Sequence, residues 1–297
     1  MNILITGGNG FLAKNIHNKL VKNHINVTSI TRQDNFDLRD TKSTSTFLKD
    51  KYFDAVLHCA ILGGKRLVQD PVDIVNDNIR MAANILINKD HFGKIINFGS
   101  GAELDRSLNI NDNSNFLNAL PEDYYGFSKN IISRLFLNES NTYNLRIYNV
   151  FYANESQHRM ISSNIKNYIN KKPIIINQDK YMDFTYFEDF YNILIAVLTN
   201  KTNLKEIDCV YDKKFKLTDI ADIINNLDVH KVDVVIEKSE LGKSYCGKNN
   251  LENIDFVGLE KGIRKVYMAL KWKIYWLIIS QETEFLNHWI LKYTLIL

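Results

Sequence analysis

The stretch NILITGGNGFLAKNIHNKLVK, residues 2–22, decides the fold. Asn2 to Thr6 is a short apolar run that stops at Gly7, the pattern of a buried strand. Behind the glycines, Leu12, Ile16 and Leu20 recur at helical spacing, so the stretch reads as strand, glycine turn, helix. Gly7, Gly8 and Gly10 supply the conformations a tight turn needs and leave no Cβ in the way of an approaching group. The helix amino terminus adds amides and the positive end of its dipole, which together make a seat for the pyrophosphate of a dinucleotide. Ala13 takes the place of the third glycine of the usual fingerprint, where the residue only packs helix on strand.

Further along, Val27 to Ile30 reads as a second strand, Thr44 to Leu48 as part of a helix and Ala55 to His58 as a third strand. Asp73 to Asn88 reads as helix, Lys94 to Phe98 as strand, and Leu145 to Val150 as one more strand. Pro121 fits the first turn of the helix between these last two. Strands alternating with helices require parallel pairing through right-handed crossovers, so residues 1–150 are expected to form an α/β, doubly wound Rossmann sheet. Residues 151–270 alternate less regularly, with helices expected at Ile161–Ile169, Phe187–Leu198 and Leu217–Leu227, the last with Thr218 or Asp219 near its start. Short strands are expected at Pro173–Ile176, Ile207–Tyr211 and Val232–Ile236. This is the pattern of a smaller α/β substrate-binding lobe, interleaved with the first and separated from it by a cleft. Residues 271–297 form an apolar tail whose longest unbroken run, Ile274 to Ile279, falls far short of the ~20 residues that span a bilayer. It reads as an amphipathic segment docked on protein.

Composition removes several classes of function. Hydrophobic residues make up 45% of the 297, enough for a sizeable core, and the net charge of +3 lacks any basic cluster interleaved with aromatics, so nucleic-acid binding is not expected. Three widely spaced cysteines, Cys59, Cys209 and Cys246, match neither a disulfide framework nor a zinc site, which suits the cytoplasm and implies no metal. The first residues carry no basic region ahead of their apolar run and so do not read as a signal peptide.

Two further sites carry chemistry. Where the second strand ends, a carboxylate would accept hydrogen bonds from the adenosine ribose of NAD, but the chain has Thr31 and Arg32 there. A guanidinium matches the 2′-phosphate of NADP and a hydroxyl can join it, so NADP is expected, with Asp34 nearby keeping NAD as the alternative. In PEDYYGFSKNIISRLFLN, residues 121–138, Tyr125 and Lys129 stand four apart and share one helix face. An ammonium beside a phenol draws its pKa down from near ~10, making a general acid for a carbonyl under reduction.

With TGGNGFLA at 6–13, Ser100 in NFGSGAE and Tyr125-Gly-Phe-Ser-Lys129, the chain resembles the extended short-chain dehydrogenases/reductases. Within them it is similar to the nucleotide-sugar epimerase/dehydratase group and its GDP-fucose-synthase-like reductases. DLRD at 37–40, His58-Cys59-Ala60, Gly63-Gly64, Asn78, RIYNVF at 146–151 and MDFTYFEDF at 182–190 extend the resemblance over roughly residues 1 to 270. It implies that Ser100 hydrogen-bonds the substrate carbonyl, Tyr125 delivers the proton, and Lys129 lowers the Tyr125 pKa while holding the nicotinamide ribose. It also implies cofactor contacts from Gly7, Asn9, Gly10, Phe11, Leu12, Thr31, Arg32, Asp37, Leu38, Cys59, Ala60 and Asn78, and weaker substrate contacts from Lys65, Arg66, Asn149 and Arg159. Asp183 and Asp189 resemble an element that joins the lobes.

Departures from the family pattern narrow the reaction. Dehydratases carry an Asp-Glu pair directly after the catalytic hydroxyl, where this chain has Gly101 and Ala102. GDP-fucose synthases epimerise with a Cys and a His, for which this chain has Ala102 and, with His158 one residue off, Arg159. Neither alanine nor arginine removes a carbon-bound proton near neutral pH. The expected function is therefore NADPH-dependent reduction of a 4-keto-6-deoxy nucleotide-diphosphate sugar for a surface glycan, with a nucleotide-sugar 4-epimerase using NAD as the alternative. A non-catalytic dinucleotide sensor is a further one. Phe127, Ile131 and Leu135 form a second apolar stripe on the Tyr125 helix, and the resemblance to dimeric relatives implies a homodimer through it.

Overall fold

The computed structural model describes residues 1–273 apart from 35, 65–67, 112 and 157, so Lys65, Arg66 and the apolar tail beyond 273 lie outside the described residues. Six strands, β1 (Asn2–Thr6), β2 (Asn26–Ile30), β3 (Phe53–His58), β4 (Phe92–Ser100), β5 (Thr142–Ile147) and β9 (Glu206–Cys209), make one parallel sheet in the order β2-β1-β3-β4-β5-β9. The register runs Ile3↔Val27 on one side of β1 and Ile3↔Ala55 on the other. Strand order reverses between β1 and β3, and in open α/β sheets ligands bind beyond the carboxyl ends of the strands at such a point.

Both faces of the sheet are covered, which is why its central strands β1, β3 and β4 are mostly apolar and buried rather than alternating. Ile3, Ile5, Leu57, Ile96 and Leu145 pack with Ile16 and Leu20 of α1 (Phe11–Lys22) and Phe190 and Leu194 of α6 (Phe187–Leu198). Leu4, Val56 and Ile95 point the other way. They meet Leu48 of α2 (Thr41–Leu48), Met81 and Ile85 of α3 (Asp73–Ile87), and Ile132 and Phe136 of α4 (Tyr124–Leu137). Each such side chain contributes about 1.5–3 kcal/mol on burial.

A second core belongs to the smaller lobe. Ile161, Ile165 and Tyr168 of α5 (Met160–Ile169) pack with Ile174 and Ile176 of β7 (Ile174–Gln178) and Ile220 and Ile224 of α7 (Leu217–Asn225). Ile263, Val266 and Tyr267, from a helical segment at 259–273, complete it. β7 pairs with β10 (Val234–Lys238), and the short β6 (Val150–Phe151) with β8 (Thr185–Tyr186).

Three expectations need correction. The strand expected at Ile207–Tyr211 in the smaller lobe is the sixth strand of the main sheet, and α6 packs beside α1: the chain leaves the sheet after β5, builds α5 and β7, and returns. Order along the sequence does not reveal so long a crossover. The strand expected at Leu145–Val150 divides into β5 and β6. Pro121 precedes α4 rather than entering it, because Asp123 is the N-cap and its carboxylate accepts from the Gly126 amide at 2.8 Å.

Two buried carboxylates tie the start of α6 and the segment before it to residues 211–258. Asp183 accepts from Lys214 (2.8 Å) and the Gly247 amide (2.8 Å). Asp189, fully buried, accepts from the Tyr211 hydroxyl (2.5 Å) and the Val257 and Gly258 amides (2.7 and 3.0 Å).

Candidate active site

The glycine turn lies at the switch point. Gly7 has φ +68°, and a Cβ there would stand 2.8 Å from the Ala60 Cα, so the turn and the segment after β3 close on each other only without a side chain. The Gly10 amide donates to the Gly7 carbonyl at 2.9 Å, and Gly10 begins α1 without a side-chain cap. First-turn amides at Phe11 and Leu12 are thus left for a ligand. Thr6 Oγ1 stands 3.1 Å from His58 Nδ1 and accepts from the Ala60 amide at 3.1 Å, fixing Cys59 and Ala60 beside the turn. Burial pushes the His58 pKa down to about 3, so the ring is neutral. These features fit the pyrophosphate of a dinucleotide.

At the end of β2, Asp34 accepts from both the Thr31 amide (2.8 Å) and the Thr31 hydroxyl (2.9 Å). Arg32 stays exposed, while Asn9 donates to Gln33 at 3.0 Å. The Thr31 hydroxyl is therefore committed to Asp34 rather than turned outward with Arg32. Asp37 is bound by Arg39, whose hydrogen bonds hold its carboxyl down at about 2, and Arg39 reaches Asp77 as well. Leu38 is buried, and its carbonyl accepts from Asn84 at 2.8 Å. Asn78, fully buried, bonds the Leu62 amide (2.8 Å), the Leu62 carbonyl (3.0 Å) and the Ser128 hydroxyl (3.0 Å), so it ties the loop after β3 to α4.

Ser100 ends β4, and its Oγ accepts from the Ala102 amide at 3.1 Å. Glu103 accepts from the Ser100 amide at 2.7 Å, an S-x-x-E capping box. Glu103 is itself held by Arg146 at 2.9 Å, and Arg146 pairs with Glu206 and Asp208, both at 2.7 Å. Ser100 thus stands on a buried ionic network. Tyr125, at the start of α4, lies near Ser100, and its ring lies against Gly64, where a Cβ would meet it at 2.8 Å.

Desolvation raises the Tyr125 pKa, while the Ser100 hydrogen bond and the charge of Arg106 draw it back. Lys129 shares the helix face, yet its buried ammonium donates to the Phe98 carbonyl, and burial lowers its pKa to about 8. Arg106 pairs with Asp123 at 2.7 Å.

On the smaller-lobe side, Asn149 donates to the Asp183 carbonyl at 2.9 Å and accepts from Arg159 at 3.4 Å. Arg159 pairs with buried Glu155 at 2.9 Å, and burial pushes that carboxyl up to about 7. Sequence reading missed Tyr245, whose hydroxyl lies over Gly101, 2.7 Å from where a Cβ there would stand, and comes from a segment without periodicity or motif. It also missed the roles of Glu103 and Arg146, although Ser100-Gly-Ala-Glu103 carries the capping-box spacing in plain view.

The model of the family described as NAD dependent epimerase/dehydratase matches residues 3–211. The fold is similar to that of GDP-mannoheptose C4 reductase from Campylobacter jejuni with NADP bound (TM-score 0.74, 14% identity, covering 90% of this chain and 97% of that one). It is similar also to a GDP-L-fucose synthetase from Naegleria fowleri (TM-score 0.71, 16% identity, 90% and 92% covered). UDP-glucuronic acid 4-epimerase from Bacillus cereus, in complex with UDP-glucuronic acid and NAD, gives a TM-score of 0.67 at 21% identity, with 91% and 99% covered. No curated protein matches the chain in sequence. Since the family model spans well over half of its length, the protein belongs to the NAD dependent epimerase/dehydratase family.

Proposed function

We propose that the protein is an NADPH-dependent reductase of a 4-keto-6-deoxy nucleotide sugar. The observation that carries this reading is that the first turn of α4, with Tyr125, packs on the turn after Ser100, a Cβ at Gly126 lying 2.6 Å from the Ala102 carbonyl, while no Asp-Glu pair follows the serine. Gly101 and Ala102 follow the serine, and Arg159 is engaged by Glu155. Fold similarity to a C4 reductase with NADP bound adds support.

In this reading Gly7, Gly10, Phe11 and Leu12 hold the pyrophosphate, Arg32 meets the 2′-phosphate, and Asp37, Leu38, Cys59, Ala60 and Asn78 shape the walls around the cofactor. Bound nicotinamide supplies the hydride. Ser100 donates a hydrogen bond to the carbonyl oxygen, and Tyr125 gives its proton to the oxygen as it becomes an alcohol. Lys129 holds the ribose hydroxyls, while Asn149 and Arg159 face the sugar diphosphate. The protein works in the cytoplasm as a homodimer through the outer face of α4, where Leu135 is exposed and Phe127 and Ile131 are half-buried in the single chain; light scattering that gives a monomer at micromolar concentration overturns that assembly.

The test of the activity is a panel of 4-keto nucleotide sugars assayed for NADPH oxidation. Turnover of at least one is expected. Tightly held NAD with no consumption of NADPH replaces the reductase with a 4-epimerase, a reading that the fold of the UDP-glucuronic acid 4-epimerase keeps in view.

A further inference from the structure

Glu103 is fully buried and ends the short turn Gly101–Glu103 that follows Ser100. One carboxylate oxygen accepts from the Ser100 amide at 2.7 Å. The other accepts from Arg146 Nε at 2.9 Å and from Asn144 Nδ2 at 3.2 Å. Its backbone carbonyl accepts from Asn130 Nδ2 at 2.8 Å, and Asn130 is the buried residue that follows Lys129 on α4. The Asn130 side chain is itself held by Arg134 Nε at 2.7 Å. β4 makes room for the carboxylate with a glycine, since a Cβ at Gly99 would collide with Glu103 and stand 2.5 Å from the Asn144 side-chain oxygen.

Neither packing nor charge balance accounts for a carboxylate in this place. A leucine would fill the space without the cost of taking an ion out of water. Arg146 does not require it, because Glu206 and Asp208 each hold that guanidinium at 2.7 Å. What a leucine could not do is accept from the Ser100 amide. Ser100 is fixed at two atoms, its amide by Glu103 and its Oγ by the Ala102 amide at 3.1 Å. We infer that Glu103 is a positioning residue, which holds Ser100 through its carboxylate and α4 through its carbonyl, and so sets the Ser100 hydroxyl in place relative to Tyr125. The catalytic meaning of that placement rests on the reading of Ser100 and Tyr125 as the reacting pair, whereas the placement itself does not.

The test is made on the full chain with three variants. Glu103→Leu keeps the bulk and removes the acceptor, Glu103→Gln keeps an oxygen for the Ser100 amide and gives up the charge, and Asn130→Ala frees α4 from the turn. Hydrogen–deuterium exchange at the Ser100 amide, read by NMR, is expected to speed up about tenfold in Glu103→Leu and to stay slow in the other two. With a substrate that the wild type turns over, Glu103→Leu is expected to lower kcat about 10²-fold and Asn130→Ala about tenfold, while KM and NADPH affinity hold. Glu103→Gln is expected to stay near the wild type although it loses the same ion pair; a purely structural role would have both Glu103 variants lose stability and activity together. A Ser100 amide as protected in Glu103→Leu as in the wild type, an unchanged kcat in that variant, or a Glu103→Gln that loses kcat as far as Glu103→Leu overturns the inference. If Glu103→Leu does not fold, fast Ser100 exchange in Glu103→Gln or an unchanged kcat in Asn130→Ala overturns it equally. A wild type inert toward every nucleotide sugar sinks the reductase reading alone, since amide exchange still decides whether Glu103 holds Ser100.

Discussion

The glycine turn between β1 and α1 and the hydroxyl cluster beyond β4 sit near each other at the carboxyl ends of the same sheet, yet they are built in opposite ways. The turn is one continuous stretch of backbone, and its geometry is stated by residue type: Gly7 at φ +68°, with room for nothing larger against Ala60. The cluster draws Ser100, Arg106, Tyr125, Arg146 and Tyr245 from five separate segments and depends on side-chain chemistry and buried charge. A local device is legible in a sequence and breaks through sterics. A convergent one is mostly hidden and breaks through protons and ion pairs.

The largest expected effect belongs to the cluster. Tyr125→Phe removes the proposed proton donor and leaves the ring against Gly64, so kcat is expected to fall by about 10²–10⁴ with NADPH affinity unchanged. Steady-state kinetics beside a cofactor titration measure both. A loss of cofactor binding instead would mean that the two regions are not separable.

Next comes the ionic base of the cluster. Arg146 is nearly buried between Glu103, Glu206 and Asp208, and Glu103 is fully buried. Arg146→Ala leaves those carboxylates without a counter-charge, which costs about 3–5 kcal/mol of stability when one partner of a buried pair is removed. Denaturant unfolding of the two proteins gives the difference. A loss under about 1 kcal/mol would show that solvent already screens the network.

These two regions also account for what the sequence revealed. The strand–glycine–helix opening, the alternation to residue 150 and the Tyr125–Lys129 spacing were all readable because each is local and periodic. The pairing of β9 with β5 is not readable, because β5 precedes it by about sixty residues and pairing at that range leaves no periodic trace. Tyr245 is invisible for the same reason: it is one tyrosine in a stretch without pattern, and its bridges to Ile110 and Met182 bring it over Gly101. The direction of the Lys129 side chain could not be read either. Helical spacing gives the face a residue occupies, but where a long stem ends depends on the strand beneath it.

For the turn, Gly7→Ala adds a Cβ 2.8 Å from a backbone atom of Ala60 in a left-handed conformation. That conformation alone costs about 1–2 kcal/mol, and relief requires the segment after β3 to move. Dinucleotide affinity is expected to fall roughly 30-fold, by the tenfold-per-1.4 kcal/mol rule, with NADP and NAD affected alike. Isothermal titration with both cofactors is the check. An unchanged affinity would show that the turn accommodates a side chain and that its glycine is dispensable.

The smallest effect is the one that separates the two cofactors. Arg32 is exposed, and the one carboxylate beside it in the turn, Asp34, is already engaged by the Thr31 amide and hydroxyl. Arg32 is therefore open to meet a 2′-phosphate, and among the described residues the nearby carboxylates Asp34 and Asp37 are both already engaged, Asp37 by Arg39. A charge-assisted contact is worth about 1.5–3 kcal/mol, and solvent exposure brings the expectation to the lower end. Arg32→Ala should weaken NADPH about tenfold and leave NADH where it was, because NADH has no phosphate at that carbon. Raising the ionic strength should shrink the difference in the wild type and not in the variant, since exposed charges are screened within a Debye length. Equal weakening of both cofactors would assign Arg32 to the scaffold of the turn. No change in either would leave it a solvated loop residue, and the choice between NADPH and NADH would not be made at the end of β2.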